Sequence, residues 1–115
     1  MKFSLLIPCY NEEDAIEETV KHIVKKLPTD VPYELIVVND ASSDKSPQIL
    51  NTLKKQYKNL VVLTHQINRG YGAALKTGLR HAKADLIVIT DADGTYPNER
   101  IPELVEMCEE RDMVV

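Results

Sequence analysis

The sequence has no tryptophan, one phenylalanine, two cysteines and four glycines in 115 residues. Cys9 and Cys108 lie far apart, without the density of a disulfide scaffold or the spacing of a CxxC pair. They read as core residues of a chain from a reducing, cytoplasmic compartment. An excess of positive charge is also missing. The 14 Lys and Arg residues stand against 18 Asp and Glu, a formal net charge of −4, so no basic field attracts a nucleic-acid backbone. Nucleic acid is therefore not an expected partner. No apolar run reaches membrane-spanning length, and the short run from Phe3 to Ile7 is cut off by Pro8 and acidic residues where a signal peptide would continue. Low-complexity stretches, internal repeats and linkers are absent as well, so one domain over 1–115 is expected.

What is present is a core and an alternating order of elements. The chain is 43% hydrophobic, enough to cover a globular interior. Phe3 to Ile7, Glu34 to Val38, Leu60 to Leu63 and Leu86 to Thr90 are short runs rich in Val, Ile and Leu, without polar alternation, as strands buried on both faces read. Between them lie segments of helical period. Ile16, Val20, Ile23, Val24 and Leu27 form one stripe, with Asn11 and Asp14 resembling a capping box at its start. A second helix begins near Ser46-Pro47 and turns Ile49, Leu50, Leu53 and Tyr57 inward. A third spans about Tyr71 to Ala82 with Gly78 inside it, and a fourth follows Pro97-Asn98 with Ile101, Leu104, Val105 and Cys108. Met113-Val114-Val115 reads as the start of a fifth strand. The fold class expected is α/β, a Rossmann-like parallel sheet with helices on both faces and right-handed crossovers. Because the last apolar run has no turn or cap after it, the chain reads as part of a longer protein.

Every unusual polar cluster follows a strand. Pro8-Cys9-Tyr10-Asn11-Glu12, Asn39 to Asp44, His65 to Arg69 and Asp91-Ala92-Asp93-Gly94 would all meet at the carboxyl rim, where open α/β sheets bind ligands. Asp91 and Asp93 are spaced so that both carboxylates face one side of an extended segment. Their mutual repulsion is relieved by a cation, and hard oxygen donors suit Mg²⁺ or Mn²⁺. Taken alone, such a pair is a solvated acidic loop as readily as a metal site; its place directly after a buried strand favours the metal. Asp40 is expected to face the rim while Asp44 and the serines around it shape a turn. Tyr10 could flank a base and Arg69 could reach a phosphate, against the plainer readings of a half-buried aromatic and a surface charge. Gly70-Tyr71-Gly72-Ala73-Ala74-Leu75 begins like a dinucleotide fingerprint but carries Leu75 at the last glycine and follows the wrong strand, so that reading is rejected. His22 and His81 read as surface residues, and the role of His65 stays open.

With these residues in place, the chain resembles family 2 glycosyltransferases of the GT-A fold, within them the dolichol-phosphate mannosyltransferase and polyprenyl-phosphate glycosyltransferase group. The likeness runs through four ordered blocks: Ile7 to Glu12, Val37 to Asp44, Asn68 to Ala74 and Thr90 to Pro97. It implies that Pro8, Tyr10, Glu12, Val38 and Asp40 line a nucleoside pocket. It also implies that Asp91, Ala92 and Asp93 hold ribose, metal and diphosphate, with Asp93 the more direct metal ligand and Arg69 on the nucleotide side of the cleft. Where the family often has a pair of aspartates in the second block, this chain has Asn39 before Asp40. The implied activity is inverting transfer of a sugar from a UDP- or GDP-sugar, with Mn²⁺ or Mg²⁺, to an acceptor such as a polyprenyl or dolichyl phosphate or a saccharide. The chain would then be the donor-binding, N-terminal part of a GT-A domain, inactive by itself. The general base and acceptor groove would follow Val115, and the longer protein would work at the cytoplasmic face of a membrane. Exposed sheet edges would favour a homo-oligomer. Two other classes share parts of this pattern. A receiver-like Mg²⁺-binding signalling domain has the same alternation but places its acidic residues after the first strand, where Pro8 and Cys9 stand here. A non-catalytic binding domain would bind nucleotide without turnover.

Overall fold

The computed structural model describes residues 3–27 and 32–90, together with the backbone of 113–114. Five strands, β1 (Phe3–Cys9), β2 (Tyr33–Asn39), β3 (Leu60–Thr64), β4 (Leu86–Ile89) and β5 (Met113–Val114), form one sheet in the order β3-β2-β1-β4-β5. All four pairings are parallel. The three described helices are α1 (Ile16–Lys26), α2 (Ser46–Gln56) and α3 (Tyr71–His81). The α/β class and the parallel sheet are as the alternation requires.

Strand periodicity sorts the core into two layers. Leu5, Ile7, Leu35, Val37 and Val88 face one side, where Ile16, Val20 and Ile23 of α1 and Leu50 and Leu53 of α2 cover them. Leu6, Ile36, Val38, Ile87 and Ile89 face the other, under Ala74 and Leu75 of α3. Helices therefore lie on both faces, and β1 and β2 are apolar on both, which is why neither run shows polar alternation. Gly78, which weakens α3 by propensity, is buried against Leu6.

Two expected details differ. The capping box at Asn11 and Asp14 does not form: α1 starts at Ile16 after Ala15, with no side-chain cap. Asn11 has a positive φ of 51° and turns its side chain to the loop after β2. Strand β1 also continues past Ile7 through Pro8 to Cys9, and β2 runs on to Asn39. The fourth helix and Cys108 lie outside the described residues.

Polar groups buried at the amino end of the sheet serve the fold. Glu34 Oε2 accepts from Ser4 Oγ at 2.7 Å and from the Lys83 amide at 2.6 Å, and the Ala84 amide donates to Ser4 Oγ at 3.3 Å. These bonds pin the segment entering β4 to β1 and β2, away from the carboxyl rim.

Candidate functional site

The strand order reverses between β1 and β4, because the chain moves from β1 to β2 and β3 on one side and then crosses back to β4 on the other. A crevice at the carboxyl ends of β1 and β4 is the binding place such a reversal creates. Pro8 is at that point. Leu6 O accepts from Thr90 N at 3.0 Å, and Cys9 O accepts from Asp40 N at 2.8 Å, so even-numbered residues of β1 turn their backbone toward β4. Pro8 has no N–H to offer on that side, and paired residues between the two strands end at Leu6 and Ile89. The β1–β4 ladder thus stops short of the rim, while the β1–β2 ladder continues to Cys9 and Asn39.

The loops after β1 and β2 are tied together. Asn11 Oδ1 accepts from the Ser43 amide at 2.8 Å and the Asp44 amide at 3.3 Å, and Ser42 Oγ accepts from Asn11 N at 3.0 Å. Ser46 Oγ accepts from the Glu12 amide, and Asp44 Oδ2 from the Glu13 amide, both at 3.0 Å. Asp44 Oδ1 also takes the Ser46 amide at the start of α2. Burial would raise the Asp44 carboxyl, but these bonds hold it below the ordinary carboxylate value. Asp44 and its serines therefore shape the turn, as their residue types imply. Tyr10 projects from this clamp with its ring about half exposed (48%). Pro8 and Glu12 are partly buried beside it, and Val38 is fully buried under α3.

Asp40 joins the loops after β2 and β3. It is buried, and Oδ1 accepts from His65 Nδ1 at 2.7 Å and from the Arg69 amide at 2.9 Å, while Oδ2 accepts from the Gly70 amide at 2.8 Å. Burial raises its pKa, but the bonds from His65, Arg69 and Gly70 outweigh that and hold it below the ordinary value. Asn68 Nδ2 adds a bond to the Asp40 carbonyl oxygen at 3.3 Å. An ionised carboxylate has about four acceptor positions, of which these bonds fill two on Oδ1 and one on Oδ2. The Arg69 and Gly70 amides are thus both engaged by Asp40. The Arg69 side chain is exposed at this rim.

His65 and Thr77 were not singled out as site residues. His65 is buried, and its Nε2 lies 2.7 Å from Thr77 Oγ1 of α3. A histidine after a buried strand was the available signal; its partners are set only by the fold. Asp91, Ala92 and Asp93 lie outside the described residues. Their strand is placed up to Thr90, whose amide bonds β1. Among the described residues no group of three or more His, Cys, Asp or Glu could hold a metal. A groove of about 520 Å³ lies elsewhere, between α2 and β3, lined by residues such as Asn51, Lys54 and Thr64 and by none of the expected site residues. Burial pushes the Cys9 thiol up to about 11, against slight lowering by its bond to Ser46, so it is an unreactive core thiol.

The family model "Glycosyl transferase family 2" matches residues 4–115. The chain belongs to this family. The undecaprenyl-phosphate 4-deoxy-4-formamido-L-arabinose transferase of Edwardsiella ictaluri is 37% identical over 110 residues, covering 93% of this chain and 34% of that protein. Among solved structures, the mannosyltransferase PcManGT of Pyrobaculum calidifontis in complex with GDP-Man and Mn²⁺ superposes with a TM-score of 0.74 at 32% identity, over 86% of this chain and 29% of that one. S. aureus TarS 1-349 in complex with UDP-GlcNAc gives 0.78 at 29% identity, over 96% and 31%. The fold is accordingly that of GT-A glycosyltransferases, and the chain spans about a third of the length of these relatives. Among the described residues no helix is long and apolar enough to cross a membrane.

Proposed function

We propose that this chain is the donor-binding part of a metal-dependent, inverting glycosyltransferase that takes a sugar from a UDP- or GDP-sugar. The reading is supported by the reversal of strand order between β1 and β4, where the pairing stops before Pro8, together with the family 2 match over residues 4–115; in the sequence Tyr10 and Glu12 follow β1, and Asp91 and Asp93 come after β4. In a family 2 chain these are the positions for base, diphosphate and metal. The nucleotides in the solved relatives, one guanine and one uracil, support both base classes.

Each group has a physical task. The exposed Tyr10 ring offers a face against which a base stacks, and the free Oδ2 position of Asp40 accepts one N–H. Asp91 and Asp93 supply hard oxygen donors directly after Thr90, a donor set that fits Mn²⁺ or Mg²⁺. When bound, the ion disperses charge developing on the departing diphosphate. A lipid-phosphate acceptor, as the name of the Edwardsiella relative states for that enzyme, arrives already ionised and needs little help from a base, whereas a saccharide hydroxyl needs one. The acceptor groove and that base belong to the remaining length of such enzymes, and transfer at the cytoplasmic face of a membrane follows if the acceptor is a polyprenyl phosphate.

The test is calorimetric titration of the chain with UDP and GDP, with Mn²⁺ and then with chelator. Binding that needs the ion and is lost in Asp93→Ala is expected. Equal affinity in chelator sinks the metal role. A receiver-like domain would instead take up phosphate from acetyl phosphate and bind no nucleotide.

A further inference from the structure

We propose that His65 and Thr77 are positioning residues for nucleotide binding, holding the Asp40 carboxylate so that it closes the 65–70 loop onto the end of β2. The proposal rests on the donor-binding reading above and adds residues that reading does not contain.

The contacts form one chain across three elements. Thr77 Oγ1 on α3 lies 2.7 Å from His65 Nε2, His65 Nδ1 lies 2.7 Å from Asp40 Oδ1, and the two Asp40 oxygens take the Arg69 and Gly70 amides. An ionised carboxylate only accepts, so the His65 proton facing it is on Nδ1. Nε2 meets the Thr77 hydroxyl, which can donate to a bare nitrogen or accept from a protonated one. A buried imidazole with both nitrogens engaged has one orientation, and through it α3 fixes the rotamer of Asp40. His65 is also held by its own backbone, whose amide donates to Asn39 O at 2.9 Å and extends the β2–β3 ladder.

What is held matters for the rim. Gly70 has a φ of 96° with open space where a Cβ would be, so glycine is needed there for backbone conformation and not for room. That turn starts α3 and carries the exposed Arg69, and its two inward amides both donate to Asp40. Without His65 the carboxylate keeps its charge but loses the group that orients it. The 68–70 turn, and the free Oδ2 position with it, then samples other arrangements before a nucleotide binds. Preorganisation of this kind raises affinity by removing an ordering cost. Arg69 and Lys76, next in sequence to Gly70 and Thr77, are both exposed.

The experiment uses the 115-residue chain with Mn²⁺ and UDP or GDP as probes. Ring nitrogen NMR of His65 reports the tautomer, calorimetry the affinity and thermal melting the stability. The wild-type ring should carry its proton on Nδ1. Thr77→Val should weaken nucleotide binding roughly twofold to tenfold, the range of one neutral hydrogen bond, and Thr77→Ser should restore it. His65→Ala should weaken binding further, and His65→Asn, which keeps a donor for Asp40, should recover part of the loss. In an Asp40→Asn background the His65 effect should largely vanish, because it acts through that carboxylate. A ring with no proton on Nδ1, or Thr77→Val and His65→Ala proteins that are folded and bind like wild type, overturns the proposal. A wild-type chain that binds neither nucleotide with Mn²⁺ instead overturns the donor-binding reading, and the proposal with it.

Discussion

Gly78 of α3 lies against Leu6 of β1 so closely that a Cβ on the glycine would be 2.5 Å from Leu6 Cδ1 and 2.7 Å from its Cγ. Leu6 is fully buried in the layer beneath α3, so it has little room to retreat. The glycine that weakens the helix locally is what lets α3 settle on the sheet.

Gly78→Ala should therefore destabilise the chain despite its better helix propensity. Overpacking costs about 1–3 kcal/mol, against a propensity gain of about 1 kcal/mol. Denaturant unfolding checks the sign, and the decisive comparison is the same change in a Leu6→Ala background. There the alanine should be neutral or stabilising, since the atoms it meets are gone.

Asp40 makes a pH-dependent contribution to stability whose sign follows from its hydrogen bonds. Its folded pKa lies below the ordinary value, so its contribution is fully present above that value and is lost as pH falls below it. Asp44 acts in the same sense. Asp40→Asn should be less stable than wild type by about 1.5–3 kcal/mol near neutral pH, the worth of hydrogen bonds to a charged group. Urea unfolding at several pH values should show that gap narrowing below about pH 4.

Asn11 combines a left-handed backbone with the bonds that clamp the first two rim loops. Substitution separates the two. Asn11→Gly keeps the conformation and loses the side-chain acceptor, at about 0.5–1.5 kcal/mol. Asn11→Ala also strains the backbone, adding about 1–2 kcal/mol. Thermal unfolding should rank wild type above the glycine variant and the glycine variant above the alanine variant; equal stability of the two variants would remove φ from the explanation.

Base choice should follow from the acceptor-only character of Asp40. If the proposed site is right, its remaining Oδ2 acceptor position favours bases with a ring N–H on the pairing edge, which uracil and guanine have and neutral cytosine and adenine lack. UDP or GDP should bind roughly tenfold or more tightly than CDP and ADP at fixed Mn²⁺. If ADP or CDP binds as tightly as both, the base is read by other groups and Asp40 serves the loop alone.

The residue pattern by itself determined the class and the order of elements. Ile36 and Val38 on one face of β2 and Leu35 and Val37 on the other can be buried together only between two helical layers, and strands joined through helices must run parallel. Parallel strands send every loop after a strand to the same rim, so the polar clusters after β1, β2 and β3, at Pro8, Asp40 and Arg69, share that rim whatever the coordinates. How these groups are partnered was decided by tertiary structure. Asp40 is paired with a histidine 25 residues away and with amides 29 and 30 residues away, and Asn11 with amides 32 and 33 residues away. Local spacing carries no trace of such partners. A carboxylate or a carboxamide accepts from whichever donor packing brings into reach: the pairing of β1 with β2 brings the Ser43 and Asp44 amides to Asn11, and the pairing of β3 with β2 and the packing of α3 bring His65 and the 69–70 amides to Asp40.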